Sequence, residues 1–364
     1  MSRFSRLCET ASPTGQEAAV AAMVRAELEG FGLTVEEDEA AGPAGAECGN
    51  LLARIPGERQ CSVMFCAHLD TVPHDGPIEV VLEDGIYKSA GETILGADNK
   101  AAVAVLLELA ARHRDAPPPV GIELLFTVAE EQGLRGASAF DLSVLRSDMA
   151  FVMDHATDIG EVIVTAPSHH GISAVFSGVE AHAGLEPESG RSAIAAAAAA
   201  ISGMQLGRVE PGTTANIGLI EGGTSGNVVP GNCRVTGEAR STDAQRAVEL
   251  VVAMSDAMIW AASEHGCEVD IKTEQHFEAY SVPEDSPGLQ VAEAALKSRG
   301  HSPRRITTGG GSDAHVFREA GFDAILLANG TYENHTHAEW VPRENLGEML
   351  EICEQVLVEA AARC

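Results

Sequence analysis

Basic residues are scarce in this chain of 364 residues. Lys and Arg together number 24 against 54 Asp and Glu, a formal net charge of −30, and only four of the 24 are lysines. Nucleic acids and anionic membrane surfaces are met with a basic face, so this balance argues against both as partners and for solubility. No apolar run approaches the ~20 residues of a membrane span. Nor does an apolar segment follow the charges of Met1-Ser2-Arg3-Phe4-Ser5-Arg6, which leads to an expectation of cytoplasmic residence. Eight cysteines are present without a single C-x-x-C pair, and a cysteine-based zinc site is not expected. Because Cys61, Cys66 and Cys353 fall in apolar or helical surroundings, reduced structural thiols are expected. What the composition does supply is an ordinary hydrophobic fraction of 45%, enough at this length for a sizeable core and two domains.

The stretch Cys66-Ala67-His68-Leu69-Asp70-Thr71-Val72-Pro73 closes an apolar run over residues 62–67. Side chains in extended chain repeat every second residue, so His68 and Asp70 project to one face, where one can ligate a metal while the other steers it. Alone, the pair also fits a surface histidine and a turn aspartate before Pro73. Repetition decides the matter. Three more apolar runs end in metal-type side chains: residues 120–129 at Glu130-Glu131, residues 149–153 at Asp154-His155, and residues 322–327 toward His335. In open α/β sheets, ligands bind in the crevice beyond the carboxyl ends of the strands.

Along the chain, residues 12–31 carry Ala19, Val20, Met23, Val24 and Leu28 at helical spacing. Strands are expected near 33–35 and over 50–55, separated by an acidic Gly/Ala loop, and short antiparallel strands are expected around Glu83-Asp84-Gly85. Gly96-Ala97-Asp98-Asn99-Lys100 stands before a helix over 101–113, where Asp98 can cap the helix or bridge two cations. Pro117-Pro118-Pro119 then parts helix from strand as a parallel crossover does. Both Glu130 and Glu131 can face the crevice only if the backbone turns there, which Gln132-Gly133 permits.

From about residue 167 the pattern becomes strand (172–179), Ala-rich helix (192–204), two strands (215–220 and 233–239), helix (244–265) and strand (268–273). Two helices on an antiparallel sheet form a compact α+β module. Metal-type residues resume beyond it, so it is read as an insertion, with domain boundaries at 1–166, 167–275 and 276–364. Helices over 288–299 and 345–361 flank the glycine-rich loop 307–315 and a last strand. That loop lacks the Lys-Ser/Thr of a phosphate loop, so backbone approach to a substrate or to the metal site is preferred.

His68 with Asp70, Asp98 before a helix, Glu130-Glu131, Asp154, and His335 four residues before Glu339 together resemble the metal-site pattern of the M20 peptidase family, in order along the whole chain. Within it, Ala67–Pro73, Gly96–Lys100, Ala129-Glu130-Glu131 and Asn334-His335-Thr336-His337-Ala338-Glu339-Trp340 are most similar to the peptidase T-like (tripeptidase-like) branch. The resemblance implies an α/β zinc-exopeptidase-like catalytic domain, its mixed central sheet flanked by helices, with an inserted α+β (ferredoxin-like) lid. It also implies two zinc ions bridged by Asp98, one completed by His68 and Asp154 and the other by Glu131 and His335. The O/N ligand set admits cobalt or manganese too. Asp70 would orient His68, and Glu130, the one acid left unligated, would serve as general base and then acid.

His337 is the nearest rival to His335, whose spacing to Glu339 favours it, and His155 and His315 are left as crevice or core residues. Matched to the family, His182 becomes a donor to the oxyanion, Asn227 helps hold the substrate, and Arg240 grips a substrate carboxylate. Read alone, His182 is an exposed loop residue and Arg240 a solvated arginine of an edge strand. The implied activity is removal of the N-terminal residue from short peptides, chiefly tripeptides. A carboxypeptidase or N-acyl amino acid amidohydrolase would use the same metals, whereas a non-catalytic peptide binder would need no proton shuttle. Lids of this type serve as dimer surfaces in many relatives, which leaves a homodimer open.

Overall fold

A computed structural model describes residues 2–364, which fall into two compact units. One runs to Val164 and resumes over Ser281–Thr307 and Gly311–Cys364, and the other comprises Thr165–Tyr280 and Thr308–Gly310.

At the centre of the first unit four parallel strands lie in the order Gly121–Thr127, Ser62–His68, Met149–His155, Asp323–Ala328. Leu51–Ile55 extends this sheet antiparallel on one side and Glu161–Ala166 on the other. The four parallel strands are those whose apolar runs end in metal-type residues, and their common direction brings the carboxyl ends to one edge. Strand Gly121–Thr127 is buried at every position, as parallel strands covered on both faces are, which is why these strands read as continuous apolar runs. Glu123 breaks that run. Its buried carboxylate accepts from Arg54 Nε (2.9 Å), from the N–H groups of Arg146 and Ser147 (2.9 Å each) and from Ser147 Oγ (2.7 Å), so no lone pair is left without a purpose.

The mixed sheet is flanked by helices: Ala97–Arg112 packs on Ser62–His68 and Met149–His155, Pro287–Ser298 on Asp323–Ala328, and Arg343–Ala361 on those two helices. The first amphipathic helix starts later than its periodicity indicates, at Ala18. Residues ahead of it are spent on side-chain bonds to the strand ends instead. Ser12 Oγ donates to Leu69 O, and the buried Glu17 carboxylate accepts from the N–H groups of Gly15 and Ala129. Among the described residues, no helix is long and apolar enough to cross a membrane.

The expectation of uniformly reduced thiols is corrected. Cys61 is disulfide-bonded to Cys364, while the other six cysteines are free. The two positions are 303 residues apart and nothing in their spacing announces the pair. Only the fold, which lays the end of helix Arg343–Ala361 against the segment before Ser62, joins them; Arg59 also donates to Ala361 O there.

The second unit is an antiparallel sheet in the order Gly207–Glu210, Thr213–Gly222, Asn232–Ser241, Ser168–Ser177, Glu268–Phe277, with helices Ala193–Gly203 and Ala244–Glu264. Strand Ser168–Ser177 alternates between buried and half-buried positions, as a sheet covered on one face requires. Phe176, Val235, Met254 and Met258 pack there with Ala196, Ala197 and Ala200, whose small side chains let the helix approach the sheet closely. A separate ladder pairs Ala181–His182 with Val228–Val229.

Candidate metal centre

His68 is the last residue of its strand, and its ring is buried. Nδ1 lies 3.0 Å from the carbonyl oxygen of Asp70 and 3.4 Å from Asp70 Oδ1, two acceptors that fix the ring hydrogen on Nδ1. Nε2 faces Asp98 Oδ1 (3.2 Å) and Asp154 Oδ1 (3.5 Å). Asp70 does more than steer the imidazole. Its carboxylate accepts the backbone N–H of Glu130 (3.0 Å) and of Glu131 (3.1 Å) and the hydroxyl of Thr14 (2.9 Å), tying the ends of two strands together.

Asp98 reaches the cluster because the chain turns at Gly96, whose φ of 71° is costly for any side-chain-bearing residue. Asp98 itself is extended (φ −81°, ψ 109°), ahead of the regular helix. Its carboxylate consequently meets histidines rather than capping the helix: Oδ1 faces His68, and Oδ2 lies 3.1 Å from His335 Nε2. His335, at φ 64°, also places Nε2 3.0 Å from Glu131 Oε1. Asp154 accepts from Asn99 Nδ2 at 2.9 Å. The backbone reversal that lets both glutamates face inward starts earlier than Gly133, at Ala129, where φ is 51°.

Three groups of donor atoms converge to within 4.8 Å: His68 with Asp98 and Asp154, Asp98 with Glu131 and His335, and His68 with Glu130 and Glu131. The first two share Asp98. This mixture of imidazole nitrogen and carboxylate oxygen is the chemistry that divalent zinc, cobalt or manganese accepts, so the residues fit such ions. Electrostatics agree with that fit. Burial works against a charged His68, yet Asp154, Asp70 and Asp98 carry its pKa well above the ordinary range, and the hydrogen bonds that Asp98 and Glu131 accept from His335 push its pKa up to about 10. The acids thus draw positive charge to two neighbouring points. Burial, with Asp154 and Glu131 nearby, raises Glu130 well above the usual carboxylate range, a shift suited to taking up a proton.

His337 is exposed and belongs to none of the three groups. His155 is half-buried, and His315 is buried beside Ser312, its Nδ1 3.1 Å from Ser312 O. His182, Asn227 and Arg240 lie in the second unit. There the short ladder sets His182 opposite Val228, and Ala183 N–H donates to Asn227 O at 2.9 Å, so His182 and Asn227 are neighbours. Arg240 is neither solvated nor free: Nε and Nη2 fork onto Glu238 at 3.0 Å each, and Nη1 donates to Gly309 O.

Four buried polar residues around the cluster escaped sequence reasoning. Glu17 and Lys100 are wholly buried, and Lys100 Nζ donates to Ser12 Oγ at 2.5 Å. Asp313 accepts from Thr127 Oγ1 at 2.5 Å, and burial pushes its carboxyl up to about 6. Glu339, used above only as a spacing mark, accepts three backbone N–H groups. The available signal was a charged residue inside or beside an apolar run, which reads equally well as surface.

The chain as a whole is similar to several known proteins. Bacillus subtilis (strain 168) protein YqjE is 34% identical over 363 residues, 99% of this chain and 98% of that one. The crystal structure of aminopeptidase PepT from Bacillus cereus ATCC 10987 is 34% identical with a TM-score of 0.85, over 98% of this chain and 97% of that one. A tripeptidase from Staphylococcus aureus subsp. aureus Mu50 is 32% identical with a TM-score of 0.91, over 100% and 97%. The model of Peptidase family M20/M25/M40 matches residues 64–359, a span that takes in every residue of the cluster, and this chain belongs to that family.

Proposed function

We propose that this peptidase is a dinuclear-metal exopeptidase that removes the N-terminal residue from tripeptides. The observation that carries the reading is the division of Asp98 between two histidines, one at each carboxylate oxygen. His68, Asp98 and Asp154 would hold one ion, and Asp98, Glu131 and His335 the other, with zinc as the proposed metal. Bound there, such ions acidify a water and polarise the scissile carbonyl. The chain's own residues do the rest. Asp70 holds the His68 ring by Nδ1 and fixes the Glu130 and Glu131 backbones. Glu130 accepts the proton of the attacking water and returns it to the leaving amine nitrogen, so that water and peptide become a carboxylate and an amine.

His182 is assigned as the donor to the oxyanion of the tetrahedral intermediate and Asn227 as a substrate contact. Arg240 is assigned to a substrate carboxylate, which must then replace Glu238 as the partner of its fork. The inserted segment 167–275 is assigned as the lid. A homodimer is proposed on the strength of Val248, Val252 and Ile259, exposed apolar side chains that recur on one face of helix Ala244–Glu264. Cytoplasmic residence is proposed as well, with the Cys61–Cys364 disulfide as the feature set against it.

The tripeptide reading draws support from the similarity to the Staphylococcus aureus tripeptidase and the Bacillus cereus aminopeptidase. Purified protein incubated with matched di-, tri- and N-acylated peptides, after chelation and after return of Zn2+, Co2+ or Mn2+, tests it. Release of the N-terminal residue from the tripeptide, lost on chelation and restored by a metal, is expected. Release of the C-terminal residue, or cleavage of the N-acyl substrate alone, overturns it in favour of a carboxypeptidase or an amidohydrolase.

A further inference from the structure

Glu339 stands four residues beyond His335, in a loop closed at its base. Tyr332 and Trp340 exchange backbone bonds (Tyr332 N to Trp340 O, 3.0 Å; Trp340 N to Tyr332 O, 3.1 Å), and their rings stack with centroids 4.3 Å apart. Trp340 then continues into the strand Trp340–Pro342, paired with Ile86–Ser89. The loop between is therefore short and anchored, and within it Glu339 N–H also donates to Thr336 O at 3.2 Å.

The Glu339 side chain leaves this loop and enters the turn that carries Asp98. Oε2 accepts the N–H groups of Leu95 and Gly96 at 2.7 Å each, and Oε1 accepts the N–H of Asp98 at 3.0 Å. Glu339 as a residue is 2% exposed. Both oxygens are used, and the three donors belong to the left-handed turn at Gly96 and to Asp98 itself. One anchored loop thus supplies His335 from its middle and a clamp on the backbone of Asp98 from its end. Asp98 and His335 are separated by 237 residues, yet the 3.1 Å contact between them is framed by this one carboxylate.

We infer that Glu339 is a positioning residue: it sets the placement of the shared ligand Asp98 relative to His335, and so governs how tightly both ions are held. The inference rests on the metal reading proposed above. It also specifies the chemistry a replacement must keep, two acceptor oxygens at the ends of a three-carbon reach. Gln keeps the reach but turns one acceptor into a donor facing an N–H group. Asp keeps both acceptors but falls a methylene short.

The test is titration of the full-length chain, freed of metal by chelation, with Co2+ alone, following the visible absorption of the bound ion, for wild type, Glu339→Gln and Glu339→Asp. Thermal unfolding of each metal-free protein is measured alongside. Wild type is expected to bind two Co2+ per chain. Each variant is expected to unfold within a few degrees of wild type, to bind Co2+ about 10–100-fold more weakly, the range that supporting partners of metal ligands contribute, and to lose kcat with KM little changed. If wild type takes up no Co2+, the metal reading itself fails. If wild type binds and both variants bind as tightly with the same spectrum, Glu339 does not position Asp98 and the inference is overturned. If both variants lose the folded state without metal, Glu339 holds the fold rather than the ligands, which also overturns it.

Discussion

The backbone N–H of Glu130 donates to Asp70 Oδ1 at 3.0 Å, while the Glu130 carboxylate has no hydrogen-bond partner among the described residues. Asp98, Glu131 and Asp154 each meet a histidine, and Asp70 is saturated by backbone donors and Thr14. One acid of the cluster is therefore placed by its main chain and left free at its side chain.

Glu130→Gln follows from that placement. The substitution leaves the N–H to Asp70 in place and removes only the proton-accepting oxygen, so kcat should fall by about 10²–10⁴ with metal content unchanged. Steady-state kinetics beside elemental analysis decide it. A variant that hydrolyses peptide at the wild-type rate with full metal content would show that another group moves the proton.

The proposed sharing of Asp98 predicts unequal losses of metal. His335→Ala and Asp154→Ala should each reduce zinc to about one ion per chain, whereas Asp98→Ala should remove both, because it empties the common position. Equilibrium dialysis against Zn2+ reads this directly. Two ions retained by Asp98→Ala would end the dinuclear reading.

Much of this was legible in the sequence for one physical reason. A parallel strand buried on both faces must be apolar throughout, so the first polar residue after it marks the sheet edge, and His68, Glu130, Asp154 and the approach to His335 all carry that mark. Asp98 was legible only as an acid before a helix, since whether it caps the helix or turns away depends on the left-handed turn at Gly96. Glu339, Lys100 and Asp313 were not legible as buried groups. Their partners are backbone amides and hydroxyls from distant segments, and such partners leave no trace in spacing. The disulfide was hidden for the same reason.

Acid stability should report on Glu238. The hydrogen bond from His169 Nε2 (3.0 Å), opposed by burial and aided by the fork of Arg240, holds its carboxyl at about 2 against an ordinary 4.5. A carboxyl with a lower pKa in the folded chain binds fewer protons there than when unfolded, so its contribution is complete above about pH 4.5 and is lost as the pH falls toward about 2. Thermal unfolding followed across that window should lose slope in Glu238→Gln relative to wild type. Identical pH profiles would show that the pair contributes nothing.

Glu123 offers a test in the sheet itself. Removing its carboxylate takes away the acceptor of Arg54 Nε, whose guanidinium keeps only Glu36 and Val144 O, and leaves the N–H groups of Arg146 and Ser147 without their acceptor. Glu123→Ala should cost about 3–5 kcal/mol, the range for breaking a buried ion pair by deleting one partner. Urea unfolding measures it, and a loss below about 1 kcal/mol, the usual worth of a solvent-exposed pair, would mean that water replaces the missing oxygens.

Because Cys61 is joined to Cys364, the polypeptide between them is a covalent ring in which the whole of the second unit is threaded as a segment. A protease cutting once in the exposed stretch 221–227 would open the ring without releasing a fragment. On a denaturing gel the nicked molecule would keep its full mass until a thiol reductant is added, and only then separate into two pieces.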